Sequence, residues 1–371
     1  MGLMNYIIPF LILITVVVFI HEYGHYYFAK KFGVGITDFS IGFGKEIFGW
    51  KDKSGTRWKI CWLPLGGYVK FFGDRNVFSQ SEQQQIINNY DEKDRNKLFI
   101  LKPLYQRSLI VAAGPLANFV LAILIFTIIN IFVGKDITPA LIDEVQDNGP
   151  AFVAGMKKND KIIEIDSKKV ESILQVSTFI NMSTNSTIKF LVLRGDKEIP
   201  LLIKPNVTEG KDFFGNFEKK KIIGIKLSPA NNELVKKRLG LIQAFYFAAK
   251  EVWFVTISTL KYLGKIISGS GDFSQLGGPI KIAKITGQVT EYGLIPFLSI
   301  MGYISISLGL INLFPIPMLD GGHLMFYMFE KILGKPLSQK TQEGFFRIGL
   351  FLLFFLMFFV TINDLKDLGL F

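Results

Sequence analysis

Residues 5–28 read NYIIPFLILITVVVFIHEYGHYYF, an apolar run that ends in the pattern His-Glu-x-x-His. At about 20 residues per crossing, this run is long enough to span a bilayer as a helix. On that helix His21 and His25 share one face, where both imidazoles can bind one zinc ion, and Glu22 can act as general base toward water. Ionisable side chains in hydrocarbon cost free energy, so their presence there indicates a function. The stretch therefore predicts a zinc hydrolase whose active site lies within the membrane.

The composition fits a membrane core with one polar domain. The chain has 371 residues, of which 49% are hydrophobic, and a mean hydropathy of +0.34. Its net charge of +11 could indicate nucleic-acid binding, but the basic residues are spread along the chain, so we predict no nucleic-acid partner. Cys61 is the single cysteine, which excludes an intramolecular disulfide. The N-terminus lacks the basic segment and small-residue cleavage site of a cleavable signal peptide.

Four apolar segments are long enough to cross a membrane, namely residues 5–28, 108–133, 294–314 and 347–363. A fifth segment, residues 239–268, carries charges among its aromatic residues. It fits an amphipathic helix on the membrane surface as well as it fits a span. The alternatives can be separated by the side of the membrane on which each loop lies.

Residues 30–107 are rich in lysine and arginine, which predicts that they lie in the cytoplasm. The N-terminus and residues 134–235 would then lie outside. If residues 239–268 also crossed the membrane, Asp320 and His25 would lie on opposite sides. We therefore predict that this segment lies at the interface.

A third zinc ligand is expected because catalytic zinc sites usually have three protein ligands and one water. The third apolar segment leads into NLFPIPMLDGGH at residues 312–323. Its prolines and glycines allow the backbone to unwind and a carboxylate to reach a protein-lined cavity. By itself, Asp320 would read as a turn residue before two glycines. Beside His-Glu-x-x-His, and on the matching side of the membrane, it is the favoured ligand. His323 is the second candidate.

Between the first two spans, residues 36–73 mix β-branched and aromatic residues with glycines. This composition predicts short hairpin strands near the membrane surface, at residues 36–39, 57–62 and 66–71. The alternative is an ordinary cytoplasmic loop. Residues 74–98 are polar, which predicts a mobile linker or an exposed helix.

The region after the second span, residues 137–205, alternates short apolar runs with turn signals. This alternation predicts strands separated by turns. The runs that predict strands are residues 151–156, 160–165, 187–194 and 199–203.

Motifs throughout the chain, in this order, resemble those of the site-2 proteases, and among them the bacterial regulator of sigma-E type. The motifs are HEYGH at 21–25, GGYVK at 66–70, AGPLAN at 113–118 and NLFPIPMLDGGH at 312–323. The resemblance covers nearly the whole chain. It is far more specific than His-Glu-x-x-His alone.

The resemblance implies roles for particular residues. His21, His25 and Asp320 would be the zinc ligands, with Glu22 as general base and Asn312 orienting the substrate or stabilising the oxyanion. Gly114 and Asn118 would pack near the site, and His323 would contact the metal ligands without binding the metal, or have a structural role. The family's membrane-associated β-loop corresponds to residues 36–73 and pairs with an extended substrate strand. The residues expected to bind substrate are Gly66, Gly67, Tyr68, Val69 and Lys70.

The external region resembles one PDZ domain, with Ala154-Gly155-Met156 and Asn159-Asp160-Lys161-Ile162 in the expected order. Asn159 stands where glycine is common, and asparagine tolerates left-handed backbone. The chain has room for one such domain, whereas the best-known family member has two. The implied layout is a first span at 1–35, a β-loop and linker at 36–107, a second span at 108–133, a PDZ domain at 134–210, a linker with interfacial helices at 211–293, a third span at 294–330, and a cytoplasmic loop with the fourth span at 331–371.

The expected fold is therefore a polytopic α-helical membrane protein with four spans, a membrane-associated β-loop and one external α+β PDZ domain. The expected activity is that of a zinc metalloendopeptidase that cuts single-span proteins within their transmembrane segments, after an upstream site-1-type protease has made an external cut. The resemblance suggests an anti-sigma factor or a remnant signal peptide as substrate. It places the enzyme in a bacterial inner membrane, with the PDZ domain in the periplasm.

Two alternatives belong to other functional classes. A zinc-containing membrane scaffold with a PDZ domain would not need the base Glu22. A zinc-linked transporter would be expected to have more spans and an inverted repeat, and no such repeat is visible in the sequence.

Overall fold

The computed structural model describes residues 4–73, 91–183, 185–211, 217–229, 233–269 and 276–367. Most of the predicted polar linker, residues 74–90, lies outside the described residues. The chain divides into two compact units. The first comprises Met1–Phe126, Ala248–Thr256 and Leu276–Phe371, and the second comprises Thr127–Phe247 and Ile257–Gln275.

Ten α-helices are found in the part of the chain that the structure describes. They are α1 (Met4–Lys31), α2 (Glu92–Arg95), α3 (Leu104–Phe132), α4 (Pro150–Val153), α5 (Ile173–Met182), α6 (Leu241–Ile267), α7 (Pro279–Glu291), α8 (Leu294–Asn312), α9 (Asp320–Leu333) and α10 (Gln339–Asp367). A 3₁₀ turn at Phe99–Leu101 precedes α3.

Four of these helices, α1, α3, α8 and α10, are long and apolar enough to cross a membrane. This confirms the predicted number of spans. Helix α6 has 27 residues but is not among the four candidate spans. Its predicted place at the interface stays a prediction.

The strands follow the same chain order. They are β1 (Ile36–Lys51), β2 (Arg57–Phe71), β3 (Lys135–Asp136), β4 (Ile142–Val145), β5 (Lys161–Ile165), β6 (Lys168–Lys169), β7 (Ile188–Arg194), β8 (Lys197–Ile203), β9 (Asn206–Lys211), β10 (Phe217–Ile222), β11 (Ile225–Leu227) and β12 (Lys236–Lys237).

The first unit contains a bent two-stranded sheet instead of the three short predicted strands. The first part of β1 pairs with both ends of β2, since Phe39 lies opposite Trp58 on one side and Val69 on the other. The second part of β1 pairs with the outer side of β2, as Trp50 does with Trp58. The backbone bends at Gly42, whose φ of 88° is a left-handed value that glycine adopts without strain. One outer edge of the sheet is therefore the run Gly67–Phe71, the edge segment.

The second unit contains a four-stranded antiparallel sheet in the order β6-β5-β7-β8. Strands β5, β7 and β8 confirm the predictions at 160–165, 187–194 and 199–203. The prediction at 151–156 was wrong, because Pro150 begins the short helix α4, and proline is favoured at the first position of a helix. Asn159 has a φ of 67°, as its tolerance of left-handed backbone predicted. Strand β11 pairs with β4, so the pairing continues past residue 210.

A buried carboxylate joins two helices of the first unit. Asp364 of α10 is 1% exposed and accepts hydrogen bonds from the backbone N–H groups of Gly278, Ile280 and Lys281. These N–H groups lie at the start of α7, where no partner exists within the helix. Asp364 therefore caps α7 from a distant part of the sequence.

Candidate active site

His21 and His25 of α1 meet Asp320 at the start of α9. Nε2 of His21 lies 3.1 Å from one carboxylate oxygen of Asp320, and Nε2 of His25 lies 3.5 Å from the other. The two Nε2 atoms are 3.3 Å apart. One donor atom from each of the three residues lies within 4.8 Å of the others. Two imidazole nitrogens and a carboxylate oxygen form a donor set that suits zinc.

The second nitrogen of each imidazole has its own partner. Nδ1 of His25 donates to the backbone carbonyl of Ile110 at 2.9 Å, which leaves the lone pair of Nε2 facing Asp320. Nδ1 of His21 lies 3.3 Å from the side-chain amide of the fully buried Asn118. Such outer contacts fix the tautomer and orientation of metal-binding histidines. The residues present therefore fit a zinc ion held by both Nε2 atoms and Asp320.

Two glycines of the motifs leave room for this packing. A Cβ atom on Gly114 of α3 would lie 2.2 Å from Nε2 of His25. A Cβ atom on Gly24 of α1 would lie 2.3 Å from the carbonyl oxygen of Ala113. Only glycine therefore lets α1 and α3 approach this closely without moving the imidazole.

Asp320 is positioned by the break between α8 and α9. Helix α8 ends at Asn312, and Pro315 and Pro317 prevent its continuation. Met318 has a φ of 91°, a strained value for a residue with a side chain. A Cβ atom on Gly321 would lie 2.2 Å from the carbonyl oxygen of Phe314, so the first turn of α9 packs directly on this break. The Asp-Gly-Gly sequence thus places the carboxylate at the end of a tightly packed turn.

One cavity of about 810 Å³ is lined by all the residues for which the sequence predicted a role in catalysis, metal binding or substrate binding. They are His21, Glu22, His25, Gly66, Gly67, Tyr68, Val69, Lys70, Asn312 and Asp320. The carboxylate of Glu22 interacts with the backbone N–H of Val69. The edge segment therefore lies beside the predicted general base. The individual roles stay predictions.

His323 also lines this cavity, but it does not belong to the cluster of possible metal ligands among the described residues. Its ring packs against Phe326 and Phe346, with centroid distances of 6.4 and 5.8 Å. This placement favours Asp320 over His323 as the third ligand.

The same cavity contains an ion pair that the sequence analysis did not predict. The guanidinium of Arg107 donates two hydrogen bonds to the carboxylate of Glu330, at 3.2 and 2.5 Å. It also lies 5.0 Å from the ring centroid of Tyr327. Arg107 lies in the first turn of α3 and Glu330 in the last turn of α9. Because 223 positions separate them, no local pattern connects them.

A polar cluster around Asp52, which lies outside the candidate spans, holds the sheet to α1. The carboxylate of Asp52 accepts hydrogen bonds from Ser54, Trp58 and Tyr26 of α1. Burial acts to raise the pKa of Asp52, but these hydrogen bonds outweigh it and hold the pKa well below the usual range. Asp52 therefore remains ionised and ties the turn between β1 and β2 to the zinc-motif helix.

Comparison with known proteins shows the family to which the chain belongs. The family model described as peptidase family M50 matches residues 9–356. The chain belongs to peptidase family M50. A protein of Agrobacterium fabrum named as a zinc metalloprotease is 39% identical over 366 residues, which cover 99% of this chain and 97% of that protein. Metalloprotease MmpA of Caulobacter vibrioides is 34% identical over 391 residues, which cover 100% of this chain and 98% of that protein.

The match confirms the resemblance to the site-2 proteases. This M50 peptidase is a zinc metalloprotease, and zinc is its cofactor. The four candidate spans and the family together indicate a multi-pass membrane protein. Its family acts on membrane-protein substrates within the bilayer.

Proposed function

We propose that this M50 peptidase hydrolyses peptide bonds inside the transmembrane segments of single-span proteins, as a zinc metalloendopeptidase of the site-2 type. One observation carries the proposal. The candidate zinc ligands, the base Glu22 and an open sheet edge all line one cavity of about 810 Å³. Residues of all four helices that are long and apolar enough to span a membrane line this cavity.

When bound, zinc would polarise the scissile carbonyl and make a water molecule more acidic. His21, His25 and Asp320 would hold the metal. Glu22 would take a proton from the attacking water and pass it to the leaving amine nitrogen. Asn312, at the end of α8, would orient the substrate or stabilise the negative charge that develops on its carbonyl oxygen.

The edge segment would present the substrate to these groups. A transmembrane helix hides its carbonyls in its own hydrogen bonds, so it must unwind before hydrolysis. The backbone groups of Gly67–Phe71 on the open side of the sheet offer replacement partners by β-strand addition. Gly66, Gly67, Tyr68, Val69 and Lys70 would thus bind the substrate backbone, with little dependence on its side chains.

The second unit would select substrates. We infer that it contains a PDZ domain, over about residues 134–210 and joined by β11, which admits proteins already trimmed outside the membrane. The proposed enzyme acts in a bacterial inner membrane with this domain in the periplasm, after a site-1-type protease. An anti-sigma factor or a remnant signal peptide would be its substrate.

The test uses purified full-length enzyme in vesicles with two single-span reporters that differ only in the length of the external domain. We expect zinc-dependent cleavage of the trimmed reporter at a bond inside its apolar segment, located by mass spectrometry of both products. The untrimmed reporter should be cut more slowly. Cleavage outside the apolar segment would overturn the intramembrane proposal, and equal rates for both reporters would overturn the size selection.

Gly67→Ala tests the edge segment. The new Cβ atom would lie 2.7 Å from the carbonyl oxygen of Ser40 and 3.2 Å from Cγ of Glu22, so the strand must shift away from the base. We expect cleavage to fall about tenfold or more, as a misplacement of about 1 Å can cost up to about 100-fold, while bound zinc is unchanged. Gly240→Ala, where nothing lies within 4 Å, should behave as wild type. Full activity of Gly67→Ala would contradict the proposed role.

A further inference from the structure

The ion pair of the catalytic cavity has hydrogen-bonding capacity that its own contacts leave unused. A guanidinium carries five N–H donors. In Arg107, Nε donates to the backbone carbonyl of Lys102 at 3.1 Å, and Nη1 and Nη2 each donate once to Glu330. Within the part of the chain that the structure describes, the two remaining N–H groups have no partner. Each carboxylate oxygen of Glu330 accepts one of these hydrogen bonds, which leaves it a second lone pair.

Both side chains of the pair are open to the cavity. They line it together with the candidate zinc ligands and the edge segment. The side chain of Arg107 is 14% exposed and that of Glu330 is 18% exposed, so a molecule in the cavity can reach them. The pair therefore lies in the space where a substrate would bind.

A chain of contacts places the pair beyond the end of the edge segment. The ring of Phe71, the last residue of this segment, stacks on that of Phe99, with a centroid distance of 4.8 Å. The carbonyl of Phe99 accepts a hydrogen bond from the backbone N–H of Lys102. The carbonyl of Lys102 in turn accepts one from Arg107. A substrate strand that lay along the edge segment and continued past Phe71 would approach the ion pair.

The pair presents a donor and an acceptor side by side and has no net charge. Glu330 would repel a carboxylate, Arg107 would repel an ammonium group, and an apolar side chain would pair with neither. A carboxamide carries an acceptor oxygen and a donor NH₂ on one planar group, which matches both partners at once. A backbone amide matches them less well, because its N–H and C=O point in opposite directions across the trans peptide bond.

We propose that Arg107 and Glu330 form a subsite for the side chain of an asparagine or glutamine in the transmembrane segment of the substrate. The guanidinium would donate to the carboxamide oxygen, and the carboxylate would accept from the NH₂ group. Val69 lies beside Glu22, and two residues of strand advance about 7 Å to Phe71. The subsite would therefore take a residue at least about three positions from the cleaved bond. This inference rests on the proposed proteolytic function and adds a side-chain preference to it.

The test uses the full-length enzyme in vesicles with single-span reporters that carry leucine, asparagine or aspartate at one position. That position is moved from two to six residues away from the cleaved bond, on either side, and initial rates are measured. A hydrogen bond to a charged group corresponds to about tenfold or more. We expect the asparagine reporter to be cleaved at least about tenfold faster than the leucine reporter at one or two positions. Aspartate has the same shape but no donor, so its reporter should be cleaved more slowly than the asparagine reporter.

Two enzyme variants separate the subsite from a general effect of asparagine on the substrate helix. Arg107→Met with Glu330→Leu removes both partners, so no unpaired charge remains in the cavity. Its ratio of asparagine to leucine cleavage should fall to the ratio found at positions outside the subsite. Arg57→Met with Glu46→Leu removes an arginine–glutamate pair that does not line the cavity and should keep the wild-type ratio. Zinc content shows that each variant is folded.

Three results would overturn the subsite or its ligand. An unchanged ratio in the 107/330 variant would overturn the subsite, and aspartate cleaved as fast as asparagine would overturn the carboxamide as its ligand. If the 107/330 variant does not fold, the wild type still decides, because equal cleavage of the leucine and asparagine reporters at every position would overturn the subsite. That result would leave the proteolytic function intact, whereas cleavage of no reporter inside its apolar segment would overturn both.

Discussion

Glu22→Gln should reduce cleavage of a single-span reporter by at least about 100-fold, because a positioned general base contributes about 100- to 10,000-fold. Glutamine keeps the size of the side chain but cannot accept a proton from water. Bound zinc should be unchanged, since His21, His25 and Asp320 form the ligand cluster without Glu22. The measurement compares initial rates in the same vesicles, with zinc content determined by elemental analysis.

The matched control for this experiment is Glu46→Gln. Glu46 lies in β1 outside the cavity and forms a partly exposed ion pair with Arg57, so its replacement should change the rate by less than about twofold. A Glu22→Gln enzyme that still cleaved at more than a tenth of the wild-type rate would sink the assignment of the base. A metal-bound but inactive wild type would favour a scaffold or transporter instead.

Gly114→Ala should remove zinc as well as activity. The added Cβ atom would lie 2.2 Å from Nε2 of His25, so the imidazole must rotate or α1 and α3 must separate. Either change moves a ligand atom that zinc requires at about 2.0–2.1 Å. We expect zinc affinity to fall by at least about 100-fold, which is the upper end of the loss seen when outer contacts of a metal site are removed. Competition with a chromogenic chelator would measure it.

Gly344→Ala is the control for this second substitution. Gly344 lies in α10 with nothing within 4 Å of its ideal Cβ position. Alanine is favoured over glycine in a helix by roughly 0.5–1 kcal/mol, so this variant should be as stable as wild type or more so. Retention of zinc at wild-type affinity by Gly114→Ala would show that α1 and α3 can separate without disturbing the site. The contrast with Gly67→Ala, which should keep its zinc, separates metal binding from substrate presentation.

Much of the fold could be predicted because its signals are local. A membrane span is recognised from about 20 successive apolar residues, and all four candidate helices were found in this way. The spacing of His21 and His25 places them on one face of any helix. Strands β5, β7 and β8 were predicted from short apolar runs between turns. In each case the decisive residues lie within one continuous segment of the chain.

The edge of the sheet shows why other features could not be predicted. The sequence indicated strands at 36–39 and 66–71, but not that β1 would pair with both ends of β2. That arrangement depends on which segments meet across the sheet, and it leaves Gly67–Phe71 unpaired on the side of the cavity. The second part of β1, Glu46–Lys51, was not predicted. Its residues Ile47, Phe48 and Trp50 are all exposed, so this part lacks the alternation of apolar and polar residues that marks a half-buried strand.

By itself, the sequence determined the spans, the zinc-motif helix and the residue types of the candidate site, since each depends on composition or on spacing along one element. Only the tertiary structure decided that Asp320 meets both imidazoles, that Asn118 contacts His21 and that Arg107 pairs with Glu330. It also decided that Asp364 caps α7. These contacts join residues far apart in the chain. Each buried polar group needs a hydrogen-bond partner, and in these contacts the partner comes from a distant segment. No local sequence pattern predicts which segment that is.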